Sequence, residues 1–422
     1  MRIGIFTDTY HPTINGITFV VDETKRELEA LGHEVFVVAP GIKIKRVVYD
    51  EASRILRIPA IKDVFFEDQM TSFFFPPKQV KRIRELQLDV IEFTTPGQIG
   101  MLGVYAALKN DTPLVAMYCT DLYEYIRHYP RVVPAVIAQV MGSPLTLGAK
   151  APELRKLLTS LSQRDETEHW TQKLVAEMLT VLHNRCQAVV SPSRKVAAQL
   201  RAWKTTAPIH VIPTGITPLG TDQAAIDKFR KRWGLGAKDK IILNVGRLGS
   251  EKNLELAIRA FDQIKLRVPE AKLILVGDSN QHVPLLKELA AEQTHAQDII
   301  FTGKIARSEL GAAYASGDVF VFPSLTDTQG LVLHEATQLG LPLVICDPEV
   351  TEVLQDGVNG YFAHNDVDDF AQKVADIISN PVLSKTMGAE SRRIVAHYTA
   401  AAQAQKLLEV LEEATITVLD KK

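Results

Sequence analysis

Arg2-Ile3-Gly4-Ile5-Phe6-Thr7 followed by Asp8-Thr9-Tyr10-His11-Pro12-Thr13-Ile14-Asn15-Gly16 opens the chain, and the reading of this stretch decides the fold. The first run is apolar between its ends and stops at a polar loop, the pattern of a strand buried on both faces of a parallel sheet. Thr18 to Leu31 follows, with Val20, Val21, Leu28 and Leu31 able to share one helix face, and Gly32 stops it. Glu34 to Ala39 is the next strand. Strand, loop, helix and strand at this length make a βαβ unit, from which doubly wound sheets are built.

Working outward, Val90–Phe93, Leu114–Tyr118 and Ala188–Ser191 continue the strands, and Pro134 to Arg185 reads as a long, charged, helical insertion. After the short strand His210–Ile212, turn residues cluster at Pro213, Gly215, Pro218 and Gly220, which places a domain boundary between 212 and 213. A second α/β series then begins. Its predicted strands are Ile241–Val245, Leu273–Val276, Ile299–Thr302, Val319–Phe322 and Leu343–Cys346. Helices are predicted near Leu254–Lys265, Pro284–Glu292, Ser308–Ala315, Leu331–Leu339 and Val367–Ile378, with a terminal helix over Ala400–Leu419. With 422 residues the chain is too long for one ordinary core. The expected fold class is α/β, two Rossmann-like doubly wound domains, 1–212 and 213–399, facing across a cleft.

Composition excludes several classes. A net charge of -2 carries no global basic excess, so nucleic acid is not an expected partner. Three scattered cysteines, Cys119, Cys186 and Cys346, suit a reducing cytoplasm better than a disulfide scaffold. The amino-terminal apolar run is too short for a signal peptide, and no uninterrupted apolar stretch approaches the ~18 residues of a spanning helix. Phe73-Phe74-Phe75-Pro76-Pro77-Lys78 with Lys81, Arg82 and Arg84 joins aromatic to basic residues, which makes an anionic membrane surface a candidate partner; an ordinary solvated helix face is the alternative.

The densest chemical signal is Phe322-Pro323-Ser324-Leu325-Thr326-Asp327-Thr328-Gln329-Gly330-Leu331-Val332-Leu333-His334-Glu335-Ala336. A strand ends, a polar loop with one glycine follows, and a helix starts near Leu331; the free N–H groups of that start form an anion site. Asp327 and Glu335 flank the turn, and a carboxylate accepts paired hydrogen bonds from vicinal hydroxyls. The second signal is Asn244-Val245-Gly246-Arg247-Leu248-Gly249-Ser250-Glu251-Lys252-Asn253, two cations at a glycine-bearing strand-to-helix loop. Fixed cations stabilise the charge that develops on a departing diphosphate; a solvated basic pair, Arg247 with Glu251 or Lys252 with Glu255, is the plainer alternative. Asn15-Gly16 is another anion-competent turn. Tyr118 to Tyr129, with Cys119, Tyr123 and His128, suits an acceptor, or is simply a helix start with packed tyrosines. Asp366 and Asp368 open a helix, where acids cap, so no metal site is expected.

These motifs resemble those of retaining glycosyltransferases of the GT-B fold, the group that holds sucrose synthases and phosphatidylinositol mannosyltransferases. The resemblance runs from Arg2–Gly16 through Val190-Ser191-Pro192-Ser193, Ile212-Pro213-Thr214-Gly215-Ile216, Val245-Gly246-Arg247, Lys252-Asn253, Phe301-Thr302-Gly303 and Gly330 to Gly340. Within the group it is most similar to bacterial diacylglycerol glucosyltransferases, through Thr328-Gln329-Gly330-Leu331 and His128-Tyr129. By position the resemblance implies Glu335 on the nucleotide ribose, Asp327 on the donor hexose, and Arg247 and Lys252 as a diphosphate clamp. It also implies amides of Gln329, Gly330 and Leu331 on the sugar and phosphate, backbone near Ile305 on the base, and Gly16 letting the first loop close over the phosphates. The terminal helix is expected to cross back onto the first domain.

Three departures stand out: Asp327 replaces a glutamate, Cys119 a histidine near the donor sugar, and Thr217 an aspartate. The expectation is therefore a retaining, nucleotide-sugar-dependent hexosyltransferase, moving glucose from UDP-glucose to a lipid or sugar hydroxyl such as diacylglycerol. Its candidate catalytic residues are Arg247, Lys252 and Asp327, it needs no cofactor or metal, and its place is the cytoplasm, peripheral to the inner face of the membrane. Asp327 and Cys119 leave a weak or inactive homologue supporting a partner as the second reading. A transferase for a soluble sugar or metabolite is the third.

Overall fold

Both apolar series become sheets in the computed structural model, which describes residues 1–13, 15–41, 47–62, 70–71, 77–128, 159 and 169–419. Most of the expected 134–185 insertion and the Phe73-Phe74-Phe75 run lie outside the described residues. The chain divides into two compact units, Met1–Thr214 with Ala400–Lys422, and Gly215–Thr399.

The first unit has strands β1 (Arg2–Phe6), β2 (Glu34–Pro40), β3 (Val48–Asp50), β4 (Ile55–Ile58), a separate pair β5 (Ile61–Lys62) and β6 (Met70–Thr71), β7 (Val90–Phe93), β8 (Leu114–Met117), β9 (Ala188–Ser191) and β10 (Ile209–Val211). Helices α1 (Gly16–Ala30), α2 (Pro77–Glu85), α3 (Gln98–Asn110), α4 (Leu122–His128), α5 (His169–His183) and α6 (Arg194–Ala202) connect them. The main sheet runs β10-β9-β8-β7-β1-β2-β4-β3, parallel except for β3 against β4. Winding changes direction between β1 and β7, and that is where a doubly wound sheet opens a crevice. Here the chain fills it. Asp8, just past β1, accepts from Ile99 N at 2.6 Å, Gly100 N at 3.3 Å and Thr95 Oγ1 at 2.6 Å, so its carboxylate caps the start of α3. Gly97 is needed beside it, because a Cβ there would stand 2.4 Å from Asp8 Cγ.

The second unit has β11 (Lys240–Val245), β12 (Ala271–Val276), β13 (Ile299–Gly303), β14 (Val319–Phe322), β15 (Leu343–Ile345) and β16 (Gly360–Phe362), all parallel, in the order β13-β12-β11-β14-β15-β16. Its helices are α7 (Gln223–Arg232), α8 (Leu254–Arg267), α9 (Val283–Ala291), α10 (Arg307–Ala315), α11 (Leu331–Gln338), α12 (Val367–Ile378) and α13 (Pro381–Val395). Ile242, Leu243, Ile274, Leu275, Phe320 and Val321 are essentially inaccessible, as strands covered on both faces require.

The terminal helix α14 (Ala400–Leu419) belongs to the first unit. It packs on α1 and across β7, β8 and β9, burying Ala404, Leu407, Leu411 and Ala414, a helical stripe at spacings of three and four. Each buried leucine there contributes roughly 2 kcal/mol. Beneath the same face lies an anomaly. Ile91 and Phe93 of β7 point into the core on the α3 side, so alternation turns Glu92 to the α14 side, where it is fully buried and neither oxygen has a hydrogen-bond partner among the described residues. Burial pushes its carboxyl up to about 8.

Candidate functional site

The winding of the second sheet reverses between β11 and β14, so the loops leaving these strands border the crevice. The β11 loop begins with Gly246 at φ +149, its N–H donating to Val276 O at 2.9 Å. The neighbouring strand follows closely: a Cβ on Gly277 would meet the Gly246 carbonyl at 1.7 Å. A short 3-10 turn, Ser250–Lys252, then leads through Asn253, left-handed at φ 52, into α8.

Side-chain contacts bind the β14 loop to this one. Ser324 Oγ donates to Glu251 O at 2.9 Å, Asn253 Nδ2 to Pro323 O at 3.1 Å, and Lys252 Nζ to Asp327 Oδ1 at 2.6 Å. Loops 75 residues apart in sequence thus form one surface. Lys252 and Asp327 are both mostly buried, while Arg247, half-exposed, pairs with Glu251 at 2.7 Å. Each expected clamp cation therefore has a carboxylate partner within the chain.

The turn into α11 is made by Gly330, left-handed at φ +67, with no side-chain cap. Because α11 starts at the carboxyl end of β14, its first-turn N–H groups and the positive end of its dipole lie at the same end of the sheet as Lys252. Gln329 is buried and its amide sits 3.4 Å from His334 Nε2, which leaves an anion the backbone rather than that side chain. His334, wholly buried and pushed down to about 4, is neutral. An added methyl at 330 would lie 3.0 Å from Leu333 Cδ1 and 3.2 Å from Phe322 Cζ. Gly330→Ala is accordingly expected to lower stability by about 1–2 kcal/mol, since an L residue is strained in the left-handed region. A denaturation midpoint equal to wild type would refute it.

Glu335, one turn further on, is buried. Its Oε2 accepts from Tyr314 Oη at 2.8 Å and its Oε1 from Arg307 Nη1 at 3.2 Å. Burial raises its pKa, and both partners oppose that. Ile305, half-buried, ends two residues before Arg307. Gly246, Arg247, Lys252, Ile305, Asp327, Gln329, Gly330, Leu331 and Glu335 thus all fall in the second unit, on loops and helix starts that follow β11, β13 and β14.

The other expected residues fall in the first unit. Gly16 is not the flank of α1 but its first residue, and Asn15 caps it, accepting from Thr18 N at 3.0 Å and donating to Thr9 Oγ1 at 3.2 Å. Cys119 follows β8, half-buried, its thiol pushed up by burial and by the Glu92 carboxyl. Tyr123 is packed, its ring 5.2 Å from that of Trp203. His128 ends α4, and its side chain lies outside the described residues. Asp366 caps α12, accepting from Asp368 N and Asp369 N at 3.0 Å. Sequence reading missed Asp8, Glu92, Arg307 and Tyr314. The signal for Arg307 is a cation at a helix start, against the dipole; for Glu92 it is an acid inside an apolar strand.

Two doubly wound parallel sheets in one chain, with an anion-competent crevice on the second, define the GT-B class of fold. A solved structure of the same architecture, Anabaena Alr3699/HepE in complex with UDP-glucose, superposes with a TM-score of 0.70 at 17% identity, over 98% of this chain and all of that one. Residues 14–218 match the family described as Glycosyltransferase Family 4, and residues 225–394 match Glycosyl transferases group 1. The chain belongs to the GT-B glycosyltransferases of group 1. It is 28% identical to the alpha-monoglucosyldiacylglycerol synthase of Streptococcus pneumoniae, over 87% of this chain and 76% of that one. To the synthase of the same name from Acholeplasma laidlawii it is 27% identical, over 92% and 90%. A GDP-mannose-dependent alpha-mannosyltransferase of Corynebacterium glutamicum is also 27% identical, over 88% and 78%. Among the described residues no helix is long and apolar enough to cross a membrane, and no group of three or more His, Cys, Asp or Glu could hold a metal ion.

Proposed function

We propose that this glycosyltransferase moves glucose from UDP-glucose, with retention at the anomeric carbon, to a lipid hydroxyl such as that of diacylglycerol. The observation that carries the transfer chemistry is the meeting of Lys252, Asp327 and the start of α11 at the second winding reversal. A diphosphate draws Lys252 and Arg247 from their carboxylate partners and takes the first-turn N–H groups of α11. Glu335 accepts the ribose hydroxyls, and Asp327 a hexose hydroxyl. The acceptor oxygen attacks the anomeric carbon from the face the diphosphate leaves. As the carbon–oxygen bond to phosphate breaks and the new one forms, the acceptor proton passes to the departing phosphate oxygen. Two cations and the helix start neutralise that group, so the reading requires no metal.

The choice of donor and acceptor is supported by the two glucosyldiacylglycerol synthase relatives, and the mannosyltransferase relative makes GDP-mannose the competing donor. The reading includes a cytoplasmic location, with the exposed Lys81, Arg82 and Arg84 of α2 against an anionic membrane surface. The test incubates the pure chain, in EDTA, with UDP-glucose, UDP-galactose or GDP-mannose, each with diacylglycerol vesicles or soluble sugars. Products are read by mass and anomeric configuration by NMR. An α-glucosyl diacylglycerol from UDP-glucose is the expected product. Transfer only to soluble sugars would remove the lipid acceptor. Nucleotide binding without any transfer would favour the inactive homologue that Asp327 and Cys119 suggest.

A further inference from the structure

Glu335 carries the proposed ribose contact from a place that disfavours its charge. It is almost wholly buried, where a carboxyl group tends to keep its proton. Two vicinal hydroxyls need the ionised form, which accepts at both oxygens and has about four lone-pair sites. Two side chains of α10 act on it. The hydroxyl of Tyr314, itself fully buried, holds Oε2 from the core side. Arg307, half-exposed, reaches Oε1 with a single N–H. Together they fix the carboxylate plane and leave lone pairs for a ligand.

Arg307 stands against the local preference: it is the first residue of α10, where a cation opposes the helix dipole. Conflicts of that kind are expected where function has chosen the residue. The other charged and titratable groups nearby are directed elsewhere. His334 precedes Glu335 but is neutral and turns to Gln329 and Tyr398. Arg392 of α13 donates to the Leu339 carbonyl beyond the far end of α11. Lys252 is held by Asp327.

We propose that Arg307 is a positioning residue, whose guanidinium holds Glu335 as an ionised, oriented acceptor for the ribose hydroxyls of the donor nucleotide, whatever its base. The proposal rests on the reading of Glu335 as the ribose ligand. Since one N–H on one oxygen is involved, a lysine can substitute, unlike at a bidentate site.

The test measures binding of UDP, GDP and their 2′,3′-dideoxy forms to the full chain and to R307Q, R307K and E335Q, by calorimetry, at about pH 6 and about pH 8.5. R307Q is expected to bind the ribonucleotides roughly tenfold or more weakly at the lower pH, the scale of one hydrogen bond to a charged group. It should recover part of that loss at the higher pH, which favours the ionised form of Glu335, and R307K should retain most of the affinity. The dideoxy forms should bind R307Q and wild type alike, which also shows that the variant folds. Equal losses for ribo- and dideoxynucleotides would overturn the proposal, because Arg307 would then touch phosphate or base itself. Undiminished ribonucleotide binding by R307Q would overturn it as well. If E335Q binds UDP and GDP as tightly as wild type, or wild type binds neither, the ribose reading itself fails.

Discussion

Replacing Lys252 by alanine is expected to lower kcat/KM for sugar transfer by roughly two to three orders of magnitude, the range found when one preorganised charge-stabilising group is lost. Lys252 lies where the β11 loop turns into α8, with its ammonium 2.6 Å from Asp327 and mostly buried. A cation in such a place is stronger than one in water, because less solvent screens it. Its partner is a single carboxylate, whereas an incoming diphosphate brings more negative charge and gains still more as the sugar departs. The loss should therefore appear mainly in kcat, as for an interaction made most strongly in the transition state. The variant also leaves Asp327 without its ammonium partner, so thermal unfolding of the same sample is needed to separate lost catalysis from lost structure. A folded Lys252→Ala enzyme within about threefold of wild type would remove the leaving-group clamp from the mechanism.

A second large effect is expected in stability rather than rate, at Glu92. Among the described residues this carboxyl has no hydrogen-bond partner, and it stays protonated up to about pH 8, whereas an unfolded chain releases the proton near 4.5. Between those values the native state holds one proton more, so stability falls as pH rises. The buried histidines His183 and His334, held neutral down to about pH 4, act in the opposite sense and mainly below 6.5. From pH 6.5 to 8 Glu92 outweighs the last part of both histidine titrations, and the three groups together lower stability by about 1 kcal/mol over that interval. Glu92→Gln keeps the shape of the neutral acid without its titration, and should flatten the decline. Hydrogen exchange of the β7 and β8 amides reads the first unit directly. Parallel pH profiles for wild type and Glu92→Gln would show that Glu92 finds a charge partner or water.

The sheets were legible in the sequence because strands such as β1, β2, β11 and β14 are nearly continuous apolar runs, and buried parallel strands have to be. Less was legible where burial is one-sided or absent. The strand β3 is exposed throughout and holds only through its antiparallel pairing with β4. The helix α7 buries Phe229 alone, so it has little apolar stripe to betray it. The loops of the site were readable as anion-competent turns, since glycine and cations at a strand end state their own chemistry. What joins them was not: Lys252 finds Asp327, and Arg307 finds Glu335, only after the sheet order sets their strands in place. Asp327 illustrates the limit. Its shorter side chain was visible as a departure from the resembling family, but its ion pair with Lys252 belongs to the folded chain.

The carboxylate of Asp8 has a consequence for how two similar scaffolds in one chain avoid competing for one ligand. At the first unit's winding reversal, Asp8 already satisfies the amides of Ile99 and Gly100 that an incoming phosphate would seek. The second unit's helix start is headed by Gly330, which has no side chain of its own to cap it. One aspartate thereby marks one copy of a repeated architecture, closing that vestibule with the protein's own acid.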